Sequence, residues 1–168
     1  PILPALTPTS TATSTPEASP TPEVKEKVDF IKDVLGPDLL KDAQRIDAEK
    51  NAKDPERVRR IDPELAKDSV NFLFLGIGSN TADMQDELTD TIMLVSYRTK
   101  NNSMKIVSIP RDTYGVELPG VQVINGAYRD GGFNLIEKIV EDATGVPVHF
   151  GMKMRIEGFI ESVANILG

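Results

Sequence analysis

Several features that define whole classes of protein are missing from this sequence of 168 residues. It contains no cysteine, which excludes disulfide bonds and thiolate metal sites. Lysine and arginine total 19 against 26 aspartate and glutamate residues, so the chain lacks the basic surface that duplex DNA or RNA requires. No apolar run approaches the roughly 20 residues that span a bilayer. We therefore expect no nucleic-acid partner, and we expect any membrane attachment to come from a segment outside this chain.

The first 22 residues are typical of a disordered spacer. They hold six prolines and nine serines or threonines, with a single charge at Glu17. Such a stretch buries too little apolar surface to offset its ordering entropy. Composition leaves two interpretations open, a spacer that holds a domain away from a membrane or wall and a generic disordered tail. Because the chain begins with Pro1 rather than Met, we also expect it to be processed or cut from a longer protein.

Residues 23–68 form a highly charged segment, with 11 positive and 13 negative residues. Apolar residues at helical spacing predict a first helix that ends at Gly36-Pro37, and its apolar stripe is Val24, Val28, Ile31 and Leu35. A second helix is predicted from Asp38 to about Ala52. Asp54-Pro55 and Asp62-Pro63 are typical of the starts of short helices. The segment is interpreted as a helical neck, and a solvated charged linker is the alternative.

Residues 69–168 carry fewer charges and form the predicted folded domain. Continuous apolar runs at Val70 to Ile77 and Thr91 to Tyr97 predict strands that are covered on both faces. A polar turn at Lys100 to Ser103 predicts a hairpin with the next run, Met104 to Ile109.

The rest of this domain predicts two helices and a strand, in the order helix, strand, helix. The first helix is expected at Phe133 to Ala143, the strand at Val148 to Met154, and the last helix from Ile156. Met152 and Met154 share one strand face and are interpreted as core. Buried strands with helices to cover them predict an α/β fold with a mixed central sheet flanked by helices.

Two short stretches carry candidate chemistry near strand ends. Gly76-Ile77-Gly78 follows a strand but lacks the third glycine of a dinucleotide site, so it is only a weak nucleotide signal. Asp90, between two threonines at the entrance to the next strand, is a candidate oxygen ligand for a divalent cation, or a simple strand cap.

The stretch Ser108 to Tyr114 is the most unusual in the sequence. A strand ends at Pro110 and places Arg111 and Asp112 at the carboxyl end, where open α/β sheets bind ligands. The planar fork of a guanidinium group suits a phosphate, and the adjacent carboxylate is a candidate base or orienting group. The alternative is an ordinary surface ion pair.

Four blocks in order resemble the LytR-CpsA-Psr family of extracytoplasmic phosphotransferases, formerly described as cell-envelope-related transcriptional attenuators. These blocks are Asn71 to Gly76, Thr89 to Ser96, Ser108 to Tyr114, and Ile124 to Tyr128 with Gly131-Gly132. The resemblance implies a three-layer α/β/α fold. It also implies transfer of a glycopolymer from a polyprenyl-pyrophosphate carrier to peptidoglycan, by a protein that is membrane-anchored in its full-length form.

The resemblance also implies residue roles. Asp90 corresponds to a magnesium ligand, Arg111 to a pyrophosphate-binding and catalytic arginine, Asp112 to a catalytic residue and Asn125 to a pyrophosphate-binding residue. The cofactor that the resemblance implies is therefore Mg²⁺. The resemblance also implies that the lipid chain lies in an apolar tunnel between the sheet and the helices.

This chain departs from the family pattern at several positions. One of the two expected carboxylates is replaced by Gly78, and Asn80, Leu88 and Val123 stand where basic residues are usual. The chain also stops at Gly168, where the family continues into a second half. These departures leave open an alternative, a catalytically impaired relative that only binds polyprenyl phosphate or pyrophosphate.

Overall fold

The structure is a computed structural model, and it describes residue 36 and residues 38–78, 88–118 and 121–167. The predicted spacer and the predicted first helix of the neck lie outside these residues. In chain order, the first elements are helices α1 (Leu39–Lys53), α2 (Arg57–Arg60) and α3 (Pro63–Ala66), followed by strands β1 (Ser69–Ile77), β2 (Thr89–Arg98) and β3 (Ser103–Ile109). Next come β4 (Tyr114–Leu118), β5 (Val121–Val123), a 3₁₀ helix (Ile124–Gly126), α4 (Ala127–Thr144), β6 (Phe150–Arg155) and α5 (Ile156–Leu167).

The central sheet is mixed and has the strand order β3-β2-β1-β6. β2 pairs antiparallel with β1 and with β3, and β6 pairs parallel with β1. The predicted hairpin across Lys100 to Ser103 is therefore confirmed. Strands β4 and β5 form a separate antiparallel pair, which the sequence patterns did not predict.

One face of the sheet is covered by α4. Leu73 and Leu75 of β1 are fully buried there, as the continuous apolar run predicted. They belong to a core that joins β1, β2 and α4, and its other buried members include Ile92, Leu94, Ile136, Ile139 and Val140. Alternation along a strand places the neighbouring side chains of β1 on the opposite face.

The opposite face is covered by α1. Val70 and Tyr97 are buried against Ala43 of that helix. Leu39 and Phe72 are partly buried and pack on the same cluster. Helices therefore lie on both faces, which confirms the predicted mixed sheet in a three-layer α/β/α fold.

The helices differ from prediction mainly at their starts. α4 begins at Ala127, earlier than the predicted Phe133, and contains a non-helical residue at Gly132 with φ 65° and ψ −161°. A glycine pair at this point interrupts the helical pattern, because glycine is a poor helix former and tolerates positive φ. The helix ends at Thr144, close to the predicted Ala143, and its C-cap Gly145 has φ 68° and donates its N–H to the Glu141 carbonyl.

The charged segment before the sheet is helical over much of its described length. α1 coincides closely with the predicted second helix, and Asp62 caps α3 by accepting hydrogen bonds from the N–H groups of Glu64 and Leu65. α2 starts at Arg57, two residues later than Asp54-Pro55 suggested. The predicted boundary between neck and domain, at residues 68 and 69, stays a prediction.

A buried polar network ties α1 and α2 to α4. Arg57 donates from Nε to Glu141 Oε2 at 2.9 Å and from Nη2 to Oε1 at 2.7 Å. The two side chains are only 4% and 2% exposed. Arg57 also donates to Asn51 and, at 2.8 Å, to Asp47. Glu141 Oε1 accepts a further hydrogen bond from the Val148 N–H. Each nitrogen of the Arg57 guanidinium and each carboxylate oxygen of Glu141 thus has a hydrogen-bond partner, as the burial of two charges requires.

His149, the only histidine, extends the same network. Its Nδ1 accepts the Asn71 N–H at 2.9 Å, so Nε2 carries the proton that is shared with Asp47 Oδ2 at 2.9 Å. Partial burial by itself raises the pKa of Asp47. Hydrogen bonds from His149 and Arg57, together with the positive charge of Arg57, outweigh burial, and the pKa of Asp47 lies below its ordinary value.

Strand β3 lies at the edge of the sheet within the described part of the chain. Three of its apolar side chains are largely exposed, Met104 at 44%, Ile106 at 63% and Val107 at 48%. Lys105 is the one charged residue of this strand.

Candidate functional site

The candidate site lies at the edge of the sheet where β1, β6 and β3 end. β6 is parallel to β1, and two antiparallel pairings give β3 the same direction, so all three carboxyl ends meet here. Gly78 follows β1, Arg111 follows β3 and Asp90 lies at the start of β2. The placement of Arg111 at a carboxyl edge, where open sheets bind ligands, agrees with the sequence prediction.

A cavity of about 480 Å³ opens next to this edge, on the sheet face that α1 covers elsewhere. Its lining is mostly apolar and comes from β1, β2, β6 and α5. The lining residues are Phe74, Leu75, Gly76, Ile77, Gly78, Asp90, Thr91, Met93, Met152, Met154, Arg155 and Phe159. The size falls within the range of small-molecule pockets, which are mainly apolar with a few polar groups.

Asp90, the carboxylate in this lining, is paired with Arg111. Arg111 Nη1 donates to Asp90 Oδ1 at 2.5 Å, and Arg111 Nε lies 3.7 Å from Asp112 Oδ2. The hydrogen bond to Asp90 raises the pKa of Arg111 above its ordinary value, and the negative charge of Asp112 adds to this effect. The guanidinium group is therefore fully charged and lies beside the cavity, with 52% of its side chain exposed.

The main chain around Arg111 is held by Asn125 and Thr113. The Asn125 N–H donates to the Arg111 carbonyl at 3.2 Å, and the Thr113 N–H donates to the Pro110 carbonyl. The hydroxyl of the buried Thr89 donates to the Asn125 carbonyl at 3.2 Å. The backbone of Asn125 thus joins the start of β2 to the turn that carries Arg111.

The structure brings the predicted site residues Asp90, Arg111 and Asp112 into one cluster and ties Asn125 to it through the main chain. Of these four described residues, only Asp90 is part of the cavity lining. Their predicted roles in binding and catalysis stay predictions.

Asp90 sits at an irregular point of the sheet. Gly76 pairs with Thr91 and Ile77 pairs with Thr89, so Asp90 is an extra residue between two successive pairs. Such a bulge changes the direction of a side chain and is common beside functional sites. The sequence gives no sign of it, because the register depends on both strands.

The described residues do not by themselves supply the ligands of the predicted magnesium ion. Among them, no group of three or more histidines, aspartates or glutamates is close enough to hold a metal. Mg²⁺ is usually held by one or two carboxylates together with substrate phosphates and water. Asp90 is the candidate carboxylate, and its Oδ1 already accepts from Arg111. Asp83, Asp86 and Glu87, which precede β2 in the sequence, lie outside the described residues, and the magnesium site stays a prediction.

Sequence reasoning missed most of the cavity. Met152 and Met154 were interpreted as core, but Met152 is 49% exposed and both side chains line the cavity. Phe159 of α5 and Arg155 at the end of β6 line it as well. An apolar strand face that stays partly open has the same sequence pattern as one that is packed, so periodicity alone cannot separate them.

Among the described residues, no helix has the length and apolar character needed to cross a bilayer.

Comparison with known proteins identifies related sequences. Residues 38–168 match the sequence model of the LytR_cpsA_psr family. The chain is 35% identical over 121 residues to the polyisoprenyl-teichoic acid–peptidoglycan teichoic acid transferase TagU of Bacillus anthracis, covering 70% of this chain and 37% of that protein. A TagU of Oceanobacillus iheyensis is 33% identical over 124 residues, covering 68% and 38%. The chain thus spans less than two fifths of these curated relatives.

Solved structures give a consistent result. The crystal structure of B. subtilis TagV matches with a TM-score of 0.53 and 31% identity, covering 61% of this chain and 42% of the TagV chain. The LytR-CPS2A-psr family protein YwtF (TagT), solved with bound octaprenyl pyrophosphate lipid, matches with a TM-score of 0.51 and 31% identity, covering 62% and 41%.

Proposed function

The chain belongs to the LytR_cpsA_psr family, and we propose that it forms part of an extracytoplasmic phosphotransferase. In this proposal the protein transfers a glycopolymer from a polyprenyl-pyrophosphate carrier to peptidoglycan. The names of the related transferases and the lipid in the TagT structure support this assignment. Teichoic acid is the polymer in the names of the relatives, and it is the first candidate for the glycopolymer here.

The observation that carries the proposal is the apolar cavity with a charged group at its edge. A polyprenyl pyrophosphate has a long hydrocarbon chain and an anionic head, so it needs these two environments side by side. Phe74, Met93 and Met152 offer the apolar surface, which favours burial of a hydrocarbon chain. Arg111, held beside the cavity by Asp90, offers a donor fork for a phosphate.

The chemistry assigned to the site is attack of an acceptor hydroxyl on the phosphorus that carries the glycopolymer. The bond from this phosphorus to the bridging oxygen breaks, polyprenyl monophosphate leaves, and a phosphodiester remains. Arg111 binds the phosphate oxygens and offsets their charge, with Asn125 as a further contact. Asp112, 78% exposed beside Arg111, takes the hydroxyl proton or orients the guanidinium. Phosphoryl transfer depends mainly on such positioning and charge stabilisation.

Magnesium belongs to the proposal as the expected cofactor. It would neutralise pyrophosphate charge, with Asp90 as the carboxylate available for it among the described residues. The proposed location is outside the cytoplasmic membrane, where peptidoglycan lies, with attachment through a segment beyond this chain.

Binding is tested with farnesyl pyrophosphate, a soluble short-chain polyprenyl pyrophosphate, by isothermal titration calorimetry. Met152→Glu places a charge in the apolar lining and is expected to weaken binding. Val58→Glu, at a 58% exposed position on α2 that is not part of the lining, is the matched control and is expected to bind normally. Equal affinities for both variants would show that the ligand does not enter this cavity.

Transfer is tested separately, by incubating the protein with a radiolabelled polyprenyl-pyrophosphate glycopolymer, Mg²⁺ and peptidoglycan. Label that appears in the peptidoglycan fraction, and that Arg111→Ala abolishes, is the expected result. Lipid binding without any transfer would favour a relative that binds the carrier but has lost catalysis.

A further inference from the structure

Gly78 and Asp90 have an unusually close spatial relation. A Cβ atom built on Gly78 would lie 1.8 Å from Asp90 Oδ2 and 2.9 Å from Asp90 Cγ. Real Cβ atoms do not approach a heavy atom so closely, so any side chain at position 78 would force the Asp90 carboxylate to move. The carboxylate therefore occupies the space that the missing side chain of Gly78 leaves open.

The backbone directs Asp90 into this space. As the extra residue between two β1–β2 pairs, Asp90 is released from the regular alternation of side chains along β2. With Oδ2 against Gly78, the other oxygen, Oδ1, accepts the hydrogen bond from Arg111 Nη1. One carboxylate thus connects the end of β1 to the residue that follows β3.

We propose that Asp90 is a positioning residue for Arg111. Its carboxylate lies against Gly78 and holds the Arg111 guanidinium group at the edge of the apolar cavity. The inference rests on the proposed function, because it gives Asp90 a role in binding the phosphate of the lipid carrier. Through Arg111, Asp90 contributes to phosphate binding even in the absence of a metal ion.

This role differs physically from that of a magnesium ligand. A carboxylate that binds Mg²⁺ gives its oxygen atoms to the ion and contributes to phosphate binding only when the ion is present. A carboxylate that orients Arg111 contributes with or without the ion, and contributes nothing once Arg111 is removed. The two roles therefore predict different results in a double-mutant cycle.

The cycle compares the chain with Asp90→Ala, Arg111→Ala and the double variant, by calorimetry with farnesyl pyrophosphate in EDTA and again in Mg²⁺. The Asp90 and Arg111 side chains are 41% and 52% exposed, and a surface ion pair contributes little to folding, so these variants keep the fold. Loss of the guanidinium contact is expected to weaken binding about 10- to 100-fold. Asp90→Ala is expected to weaken binding about tenfold in EDTA, and at least as much in Mg²⁺. In EDTA the double variant should match Arg111→Ala to within about twofold.

Gly78→Ala tests directly whether Arg111 binding by Asp90 depends on the space beside Gly78. The added methyl group displaces Asp90, so this variant is expected to weaken binding as Asp90→Ala does. In the Asp90→Ala background the methyl group has free space, and Gly78→Ala is expected to have no further effect. Arg59→Ala, which removes an exposed arginine paired with Glu56 on α2, is the matched control and should bind normally.

A second measurement needs no ligand. The guanidinium resonances of Arg111 in ¹⁵N-labelled protein report how firmly the group is held. Asp90→Ala and Gly78→Ala are expected to shift them to the position of a freely rotating arginine, while Arg59→Ala leaves them unchanged. If the chain binds no farnesyl pyrophosphate, the proposed function fails, and these spectra still decide whether Asp90 and Gly78 position Arg111.

Three results would overturn the proposal. One is an Asp90→Ala effect that appears only with Mg²⁺, which would make Asp90 a metal ligand. Another is that Asp90→Ala weakens binding in EDTA as much in the Arg111→Ala variant as it does in the unmodified chain. The last is a set of Arg111 resonances that neither Asp90→Ala nor Gly78→Ala changes.

Discussion

Replacing Glu141 with leucine is expected to destabilise the fold more than any surface substitution. The change roughly keeps the volume of the side chain but removes two of the four acceptor atoms of the Arg57 guanidinium, and the acceptor of the Val148 N–H. Arg57 would then remain almost fully buried with Asp47 as its nearest charge partner. Removing one member of a buried ion pair costs about 3–5 kcal/mol, a large share of the roughly 5–15 kcal/mol that typically holds a domain together.

The expected decrease in melting temperature follows from this free energy. At about 3–5 °C per kcal/mol for a domain of this size, Glu141→Leu should melt about 9–25 °C lower than the unmodified chain. Arg59→Ala, which breaks an exposed ion pair, should melt without a measurable change. Urea denaturation followed by circular dichroism gives the free energies, and calorimetry gives the melting temperatures.

A double variant separates the charge effect from packing. Arg57→Met combined with Glu141→Leu removes both buried charges and keeps apolar volume, a replacement that is often neutral for buried pairs. The double variant is therefore expected to be more stable than Glu141→Leu alone. The reasoning is refuted if Glu141→Leu costs no more than Arg59→Ala, or if the double variant is less stable than the single one.

Two further predictions concern acid stability and glycine packing. Because the pKa of Asp47 is lowered in the fold, its stabilisation is present above the unfolded pKa of about 3.9 and is lost as the pH falls through the folded pKa. The stability deficit of Asp47→Asn, measured by urea titration, should therefore shrink between about pH 5 and pH 3; a constant deficit would contradict this. Gly151→Ala places a Cβ 1.7 Å from Phe133 Cζ and should cost about 1–3 kcal/mol. Gly158→Ala, in the exposed α5 with no atom within 4 Å of the new Cβ, should instead stabilise by about 0.5–1 kcal/mol; the reverse order of the two variants would refute the packing argument.

The elements of the central sheet were predictable because their signal is local. The apolar runs of β1 and β2 and the polar turn before β3 each fall within about ten residues. The β4–β5 pair was missed, since its short strands show no comparable run. The first turns of α4 were also missed, because Gly131 and Gly132 interrupt the helical pattern there.

Features that depend on distant residues could not be predicted from local patterns. Arg57 and Glu141 are 84 positions apart, and Arg57 belongs to a segment whose charge density is typical of a solvated surface. At the site, Asp90 and Arg111 were predicted as separate functional residues, from their positions at strand ends and from the family resemblance. Their direct pairing, and the contact of the Asp90 carboxylate with Gly78, depend on the register of two strands. Only the structure could show them.

The exposed edge strand β3 has a practical consequence for handling the protein. Among the described residues, no strand pairs with the outer edge of β3. Such an edge with apolar side chains can template the addition of another strand, and Lys105 is the one charge in β3 that opposes this. Light scattering of this chain should therefore show association that grows with protein concentration. Replacing Ile106, at 63% exposure, with lysine should suppress it at little cost to folding. Such a variant would be a convenient background for the millimolar samples that spectroscopy of Arg111 requires.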